Sequence, residues 1–265
     1  MTETNETLND DAFAGIGRLY GKESYALIQN MHVCVVGIGG VGSWVVEALA
    51  RSAVGKITLI DYDTIAQSNM NRQIHTLSTT IDEKKCSAML ERVKLINPEC
   101  EVTIVDDFIT LNNMRDLITN KFDYVVDAID SIKFKAGLIY HCKRNKIPIV
   151  TTGGAGGLTD PSTVEVVDLT KTYNDALAAK VRSTLRDQYN FSRNPKRRFA
   201  VDCVFSSQQQ RYPKEDGTVS YEKPGIHGVS LDCSFGYGAA SFVTGTFGFV
   251  AAAHVIKKYL ARKLK

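Results

Sequence analysis

The feature that most constrains this chain is an apolar run over residues 32–36. It passes without a break into Gly37-Ile38-Gly39-Gly40-Val41-Gly42, then an amphipathic stretch over 43–52, then a second apolar run ending at Asp61. Few folds accept that order. Glycines at this spacing let the backbone turn tightly between a strand and a helix, and they aim the free N–H groups of the helix start at whatever lies beyond the strand. The run fits the GxGxxG fingerprint of nucleotide binding, with an acid at the end of the second strand. Alone it does not choose the nucleotide, because a nicotinamide dehydrogenase follows the same logic.

Downstream, β-rich runs alternate with amphipathic ones: 56–61, 84–96, 101–106, 114–119, 124–128, 133–145 and 147–151. Strand and helix in strict alternation predict an α/β fold, a doubly wound and mostly parallel sheet with a Rossmann-like half. Before it, residues 1–31 read as a helical arm, with Phe13, Ile16, Leu19 and Tyr20 at helical spacing. Past residue 157 the pattern changes. Strands are expected near 163–168 and 200–205, a basic helix near 175–189, a mobile stretch over 206–228 with an Asp216-Gly217 turn, and a Gly/Ala-rich helix to close. The expected division is therefore an arm (1–31), an ATP-binding half (32–160) and a second half (161–265) with a β-rich extension, all in one continuous domain.

Composition narrows the partners. Residues 1–130 hold 11 Lys/Arg against 19 Asp/Glu, a net of −8, and residues 131–265 hold 21 against 10, a net of +11. An acidic half joined to a basic half points to a polyanion at the second. There Arg182, Arg186, Arg193, Lys196, Arg197 and Arg198, along with Lys180, are candidate phosphate contacts, and Tyr189 and Phe191 are placed to stack on splayed bases. The other reading of such a run is a solvated face. Six scattered cysteines without a CxxC pair, and no basic-plus-apolar leader, suit a reducing cytoplasm. The uncharged stretch 236–256 is long enough to span a bilayer, but its glycines, hydroxyls and His254 suit a helix packed on a sheet better.

The segment after Asp61 reads Asp61-Tyr62-Asp63-Thr64-Ile65-Ala66-Gln67-Ser68-Asn69-Met70-Asn71-Arg72-Gln73, and Lys84 and Lys85 open the next helix. A dinucleotide enzyme has no evident need for these groups at its strand ends. Cleavage of a triphosphate does need them: cations offset charge on the phosphates, and a carboxylate, Asp127 or Asp130, holds the bridging Mg²⁺. Singly, each residue has an ordinary explanation as a surface charge or helix cap; together they form a set.

That motif order resembles the ubiquitin-activating-enzyme-like (HesA/MoeB/ThiF) adenylating superfamily over residues 12–160. The resemblance implies an ATP site built from Gly37, Gly39, Gly40, Gly42, Asp61, Asp63, Asn69, Arg72, Gln73, Lys84 and Asp130, with Mg²⁺ on Asp130. It also implies a homodimer in which Arg18 reaches the partner's ATP site. Many members hold zinc with two CxxC pairs; this chain has none, so no structural zinc is expected. That absence, the run Thr151–Gly157, the run Val201–Ser206 and the cationic half are similar to the branch that dehydrates threonylcarbamoyladenosine in tRNA. The implied activity is a ligase-type, ATP-dependent cyclisation next to the anticodon, acting with a cysteine desulfurase system. A monovalent cation near 153–157 is left open. The alternative is adenylation of the Gly-Gly end of a small sulfur-carrier protein. Cys233 and Cys203 each follow an aspartate, and relatives use a cysteine so placed as a thioester or persulfide acceptor; inert core is the other reading.

Overall fold

The computed structural model describes residues 3–214, 216–222 and 238–265, with side chains from residue 12 onward. Two helices lead in, α1 (Glu3–Tyr20) and α2 (Lys22–Gln29), joined at Gly21, whose φ of +85° suits glycine and turns the chain between them. Next come β1 (His32–Val36), α3 (Gly42–Arg51), β2 (Lys56–Ile60), α4 (Lys85–Ile96), β3 (Glu101–Val105), α5 (Met114–Leu117), β4 (Tyr124–Asp127), α6 (Ile132–Arg144) and β5 (Ile149–Thr152). The second half adds β6 (Val164–Asp168), α7 (Ala176–Gln188), β7 (Asp202–Ser206), a short hairpin of β8 (Tyr212–Pro213) and β9 (Val219–Ser220), and α8 (Ser241–Lys263).

Seven strands form one sheet in the order β3-β2-β1-β4-β5-β7-β6, parallel except for the antiparallel β6–β7 pair. The β-rich runs of the second half thus extend the sheet that the first half begins. β1, β4 and β5 are almost wholly buried, as parallel strands covered on both faces must be. One core layer joins α3, α4 and α8 to the sheet, and the opposite layer joins α5, α6 and α7. After β3 the chain returns to the far side of β1, so the strand order reverses between β1 and β4. A crevice opens outside the carboxyl ends of strands at such a reversal.

The stretch read as an apolar helix becomes α8, which lies along α3 and crosses β5, β6 and β7. Among the described residues no helix is long and apolar enough to cross a membrane. The polar stretch read as mobile holds the end of β7 and the β8–β9 hairpin, with Gly217 at φ +81°; residues 215 and 223–228 of it lie outside the described residues. Close approach of α8 to α3 depends on Gly248, where an added Cβ would lie 2.5 Å from Trp44 Cβ and 2.9 Å from Val45 N. At Gly245 the nearest Trp44 atom would be 3.5 Å away, an ordinary contact. Gly248→Ala is expected to cost about 1–3 kcal/mol by overpacking, whereas Gly245→Ala gains helix propensity of up to about 1 kcal/mol; urea unfolding of the two variants reads the difference.

Candidate active site

The crevice at the reversal is a cavity of about 860 Å³, lined by the glycine loop, the ends of β2 and β4, the 69–73 segment, and the 152–156 run. Backbone contact builds its floor. Gly37 has φ +87°, and a Cβ there would lie 2.9 Å from the Ala128 carbonyl oxygen; one on Gly42 would lie 1.8 Å from the Gly37 carbonyl oxygen. Gly39 and Gly40 line the cavity, whereas Gly42 serves the packing behind it.

Asp61 ties the loop to β2: its Oδ2 accepts the Ile38 N–H at 2.6 Å and its Oδ1 accepts the Asp63 N–H at 2.9 Å. From behind, the buried His75 Nε2 donates to the Ile38 carbonyl at 2.9 Å. The Arg72 backbone carbonyl is held by Trp44 Nε1 at 2.9 Å and Thr244 Oγ1 at 3.2 Å, so α3 and α8 together set this residue. Its guanidinium donates to Ser68 O and Asn71 Oδ1 and forms no ion pair among the described residues. Asn69 accepts the Ala66 N–H at 3.0 Å, which closes the turn before Arg72. The buried Oε1 of Gln73 has no partner among the described residues.

The structure does not bring Lys84, the lysine read as the phosphate ligand, into the cavity. Lys84 forms a bridge with Thr64, and its Nζ turns away to the Tyr62 carbonyl at 2.9 Å and Asp106 at 3.1 Å, outside the lining. Lys85, next along, lines the cavity, buried, with its Nζ 2.7 Å from Asp63 Oδ2. Extended backbone at Lys84 (φ −64°, ψ 130°) sends adjacent side chains to opposite sides, a choice that sequence order leaves open.

The two carboxylates at the end of β4 also separate. Asp127 is fully buried, bound by Lys135 at 3.1 Å and by the Thr151 hydroxyl at 2.6 Å; burial pushes its pKa up against those partners. Asp130 is exposed, lines the cavity and has no side-chain partner among the described residues. It fits a Mg²⁺ brought in on a triphosphate. The far wall is pinned by Asp175, which accepts the Gly154 N–H at 3.0 Å and caps α7 through the Ala178 N–H at 2.8 Å. Lys180 of α7 lines the same wall. Arg72, Lys85, Lys180 and Asp130 therefore line one cavity; His75, Trp44 and Asp175, which support its walls, carried no motif that singled them out.

Other expected site residues lie elsewhere. Arg18 is exposed near the end of α1, outside the lining of this chain's cavity. Arg193, Lys196, Arg197 and Arg198 are exposed, with Arg193 paired to Asp187 and Arg198 to Asp168. Arg186 is drawn over the Phe199 ring and Arg182 donates to Thr172 Oγ1, so both are half-buried. Tyr189 stacks on Tyr140 and Phe191 meets Phe199 edge-on, which takes both rings away from the stacking role read for them. Cys203 is fully buried in the core, and burial pushes its thiol far up, which suits the inert reading. Cys233 lies outside the described residues. Among the described residues no three His, Cys, Asp or Glu gather as metal ligands.

The ThiF family matches residues 14–265. The chain belongs to the ThiF family. It is 53% identical over 254 residues, 96% of this chain and 95% of the other, to a tRNA threonylcarbamoyladenosine dehydratase of Haemophilus influenzae. The corresponding Escherichia coli protein is 51% identical over 251 residues, 94% of each chain. A solved E. coli tRNA N6-threonylcarbamoyladenosine dehydratase in complex with ATP superposes with a TM-score of 0.84 at 46% identity, covering 96% of both chains. Likeness to a molybdopterin-synthase adenylyltransferase of Salmonella typhimurium is 30% over 129 residues, 49% of this chain and 51% of the other.

Two measurements follow from this geometry. Lys85→Ala should weaken ATP binding about tenfold to a hundredfold, and Lys84→Ala by far less, in a calorimetric titration. Burial pushes the His75 pKa down to about 4, against an unfolded value of about 6.5. Its contribution to stability is therefore complete above the unfolded value and is lost as pH falls through the folded one. Between pH 7 and pH 5 the wild type should lose up to about 2 kcal/mol that a His75→Gln variant does not, measured by urea unfolding.

Proposed function

We infer that this chain is an ATP-dependent dehydratase of N6-threonylcarbamoyladenosine in tRNA. The observation that carries the reading is one cavity at the sheet reversal in which a glycine loop, Arg72, Lys85, Lys180 and the partner-free Asp130 converge, in a ThiF-family chain that superposes on the ATP complex of such a dehydratase.

The apolar wall of Ile60, Phe108 and Ile109 suits the adenine of ATP, and Gln73 Oε1 is an acceptor ready for a hydroxyl or amine donor. Gly39 and Gly40 let the triphosphate approach the backbone. Arg72 and Lys85 offset the charge that builds as the α-phosphorus is attacked, and Asp130 would hold the Mg²⁺, which neutralises phosphate charge when bound. The threonyl carboxylate attacks the α-phosphorus, forming a C–O–P bond while pyrophosphate leaves. An internal nucleophile of the carbamoyl group then attacks the activated carbonyl, loses its proton, closes the ring and expels AMP. The oxygen lost from the substrate as water ends on AMP, so the step balances without further reactants.

The exposed Lys196, Arg197 and their neighbours suit the tRNA backbone. Exposure of Arg18 beyond its own cavity supports a homodimer in which it serves the partner's site, and partnership with a cysteine desulfurase system follows from the motif resemblance. A sulfur-carrier substrate is favoured only by similarity to the molybdopterin-synthase adenylyltransferases, which spans half of the chain. AMP and pyrophosphate release from ATP should require tRNA carrying threonylcarbamoyladenosine, with a product lighter by one water; release with a Gly-Gly-ended carrier instead would move the assignment. Arg72→Ala and Asp130→Ala should each lower that rate about a hundredfold or more with unfolding midpoints unchanged.

A further inference from the structure

Next to the large cavity is a second pocket of about 300 Å³, between the start of α7 and the β8–β9 hairpin. Ala176 and Gln210 line both, so only the start of α7 and one amide separate them. Its lining is unlike a surface dimple. Asn174, Gln209 and Gln210 bring amide groups, Arg182 a guanidinium, and Tyr212 and Tyr221 aromatic rings. Arg182 is half-buried and makes no ion pair among the described residues; Asp175 also lines the pocket, with its two carboxylate oxygens held by the Gly154 and Ala178 N–H groups, and burial pulls the Arg182 pKa down against the pull of that acid. Tyr221 is half exposed, with the Arg211 guanidinium over its ring at 5.6 Å.

Asn174 spends one amide N–H on the Ser207 carbonyl, Gln209 one on the Tyr221 carbonyl, and Arg182 one guanidinium N–H on Thr172 Oγ1; their second N–H groups, together with the Tyr221 face turned from Arg211, are the combination that recognises an unstacked base. We propose that this pocket holds the adenine base of the nucleoside being modified, stacked against Tyr221 and read at its ring nitrogens by Arg182 and the amides of Asn174 and Gln209. The proposal rests on the dehydratase reading above. Position supports it: a threonylcarbamoyl group on N6 extends only a few bonds from the base, so its carboxylate reaches ATP only if the base is seated directly beside the nucleotide cavity. A splayed base also brings its flanking phosphates toward the basic surface that runs on from α7.

The test uses the full-length protein and three substrates: ATP alone, modified tRNA, and the free N6-threonylcarbamoyladenosine nucleoside as a competitor without phosphates. Tyr221→Ala and Gln209→Glu alter exposed side chains and leave the α7 cap intact. Each is expected to raise KM for modified tRNA and the inhibition constant of the free nucleoside by at least about fivefold, with the Kd for ATP and the unfolding midpoint unchanged. Tyr221→Phe, which keeps the ring, should restore both constants. Equal loss of ATP affinity would assign the pocket to the nucleotide site and overturn the proposal. So would unchanged constants for tRNA and nucleoside in variants of an active wild type. A wild type that releases no AMP with modified tRNA would instead sink the dehydratase reading itself, which separates the two failures.

Discussion

The site depends first on backbone pressed against backbone. Gly42 packs on the Gly37 carbonyl and Gly37 on the Ala128 carbonyl, which locks the glycine loop to the end of β4. A side chain at either position would need space that the peptide groups already fill. With the loop held there, the start of α3 faces the crevice where the strand order reverses, and phosphate can meet N–H groups without a side chain in between. Asp61 and His75 then grip Ile38 from two sides, so the loop keeps one shape before any nucleotide arrives.

Around that floor the protein separates buried charge from working charge. Asp127 and Lys135 neutralise one another inside the fold, with Lys135 also donating to the Asp127 and Ile129 carbonyls. Removing either partner would strand a charge away from water, which is costly. The chain they anchor carries Asp130 out to the cavity with its oxygens unengaged. Opposite it, Arg72 is gripped at its backbone carbonyl, and its guanidinium, held by the Ser68 carbonyl and the Asn71 amide oxygen, has no acid paired to it among the described residues. Pre-set geometry of this kind lets charges oppose those that develop in a transition state at little reorganisation cost.

α7 divides the work on the second wall. Its cap residue Asp175 pins the Gly154 N–H on the nucleotide side, and its first turn borders the smaller pocket on the other. One short helix thus relates the distance between a base and a triphosphate to the length of the group that has to bridge them. That relation invites an activity confined to a single nucleoside, where a broader cleft would accept any carboxylate.

Most of the fold was legible along the chain, because strand and helix periods are local and the glycine loop, Asp61 and the Asn69–Gln73 segment form a contiguous pattern. The placement of the glycine loop and of Asn69, Arg72 and Gln73 along one cavity was legible for the same reason, and so was the preference for a packed α8 over a membrane span. Three things were not. Lys84 and Lys85 are neighbours of one type, and only the β-bridge at Lys84 decides which points inward. Asp127 and Asp130 differ by one turn of loop, and only burial beside Lys135 tells the structural acid from the available one. Tyr189 and Phe191 read as free rings until Tyr140 and Phe199, distant or not in sequence, cover them. Sequence by itself determined which chemical groups arrive at the strand ends and in what order, since that follows from short-range periodicity. Tertiary structure alone decided which of those groups face the cavity, because direction and burial are set by packing partners that the chain brings together only when it folds.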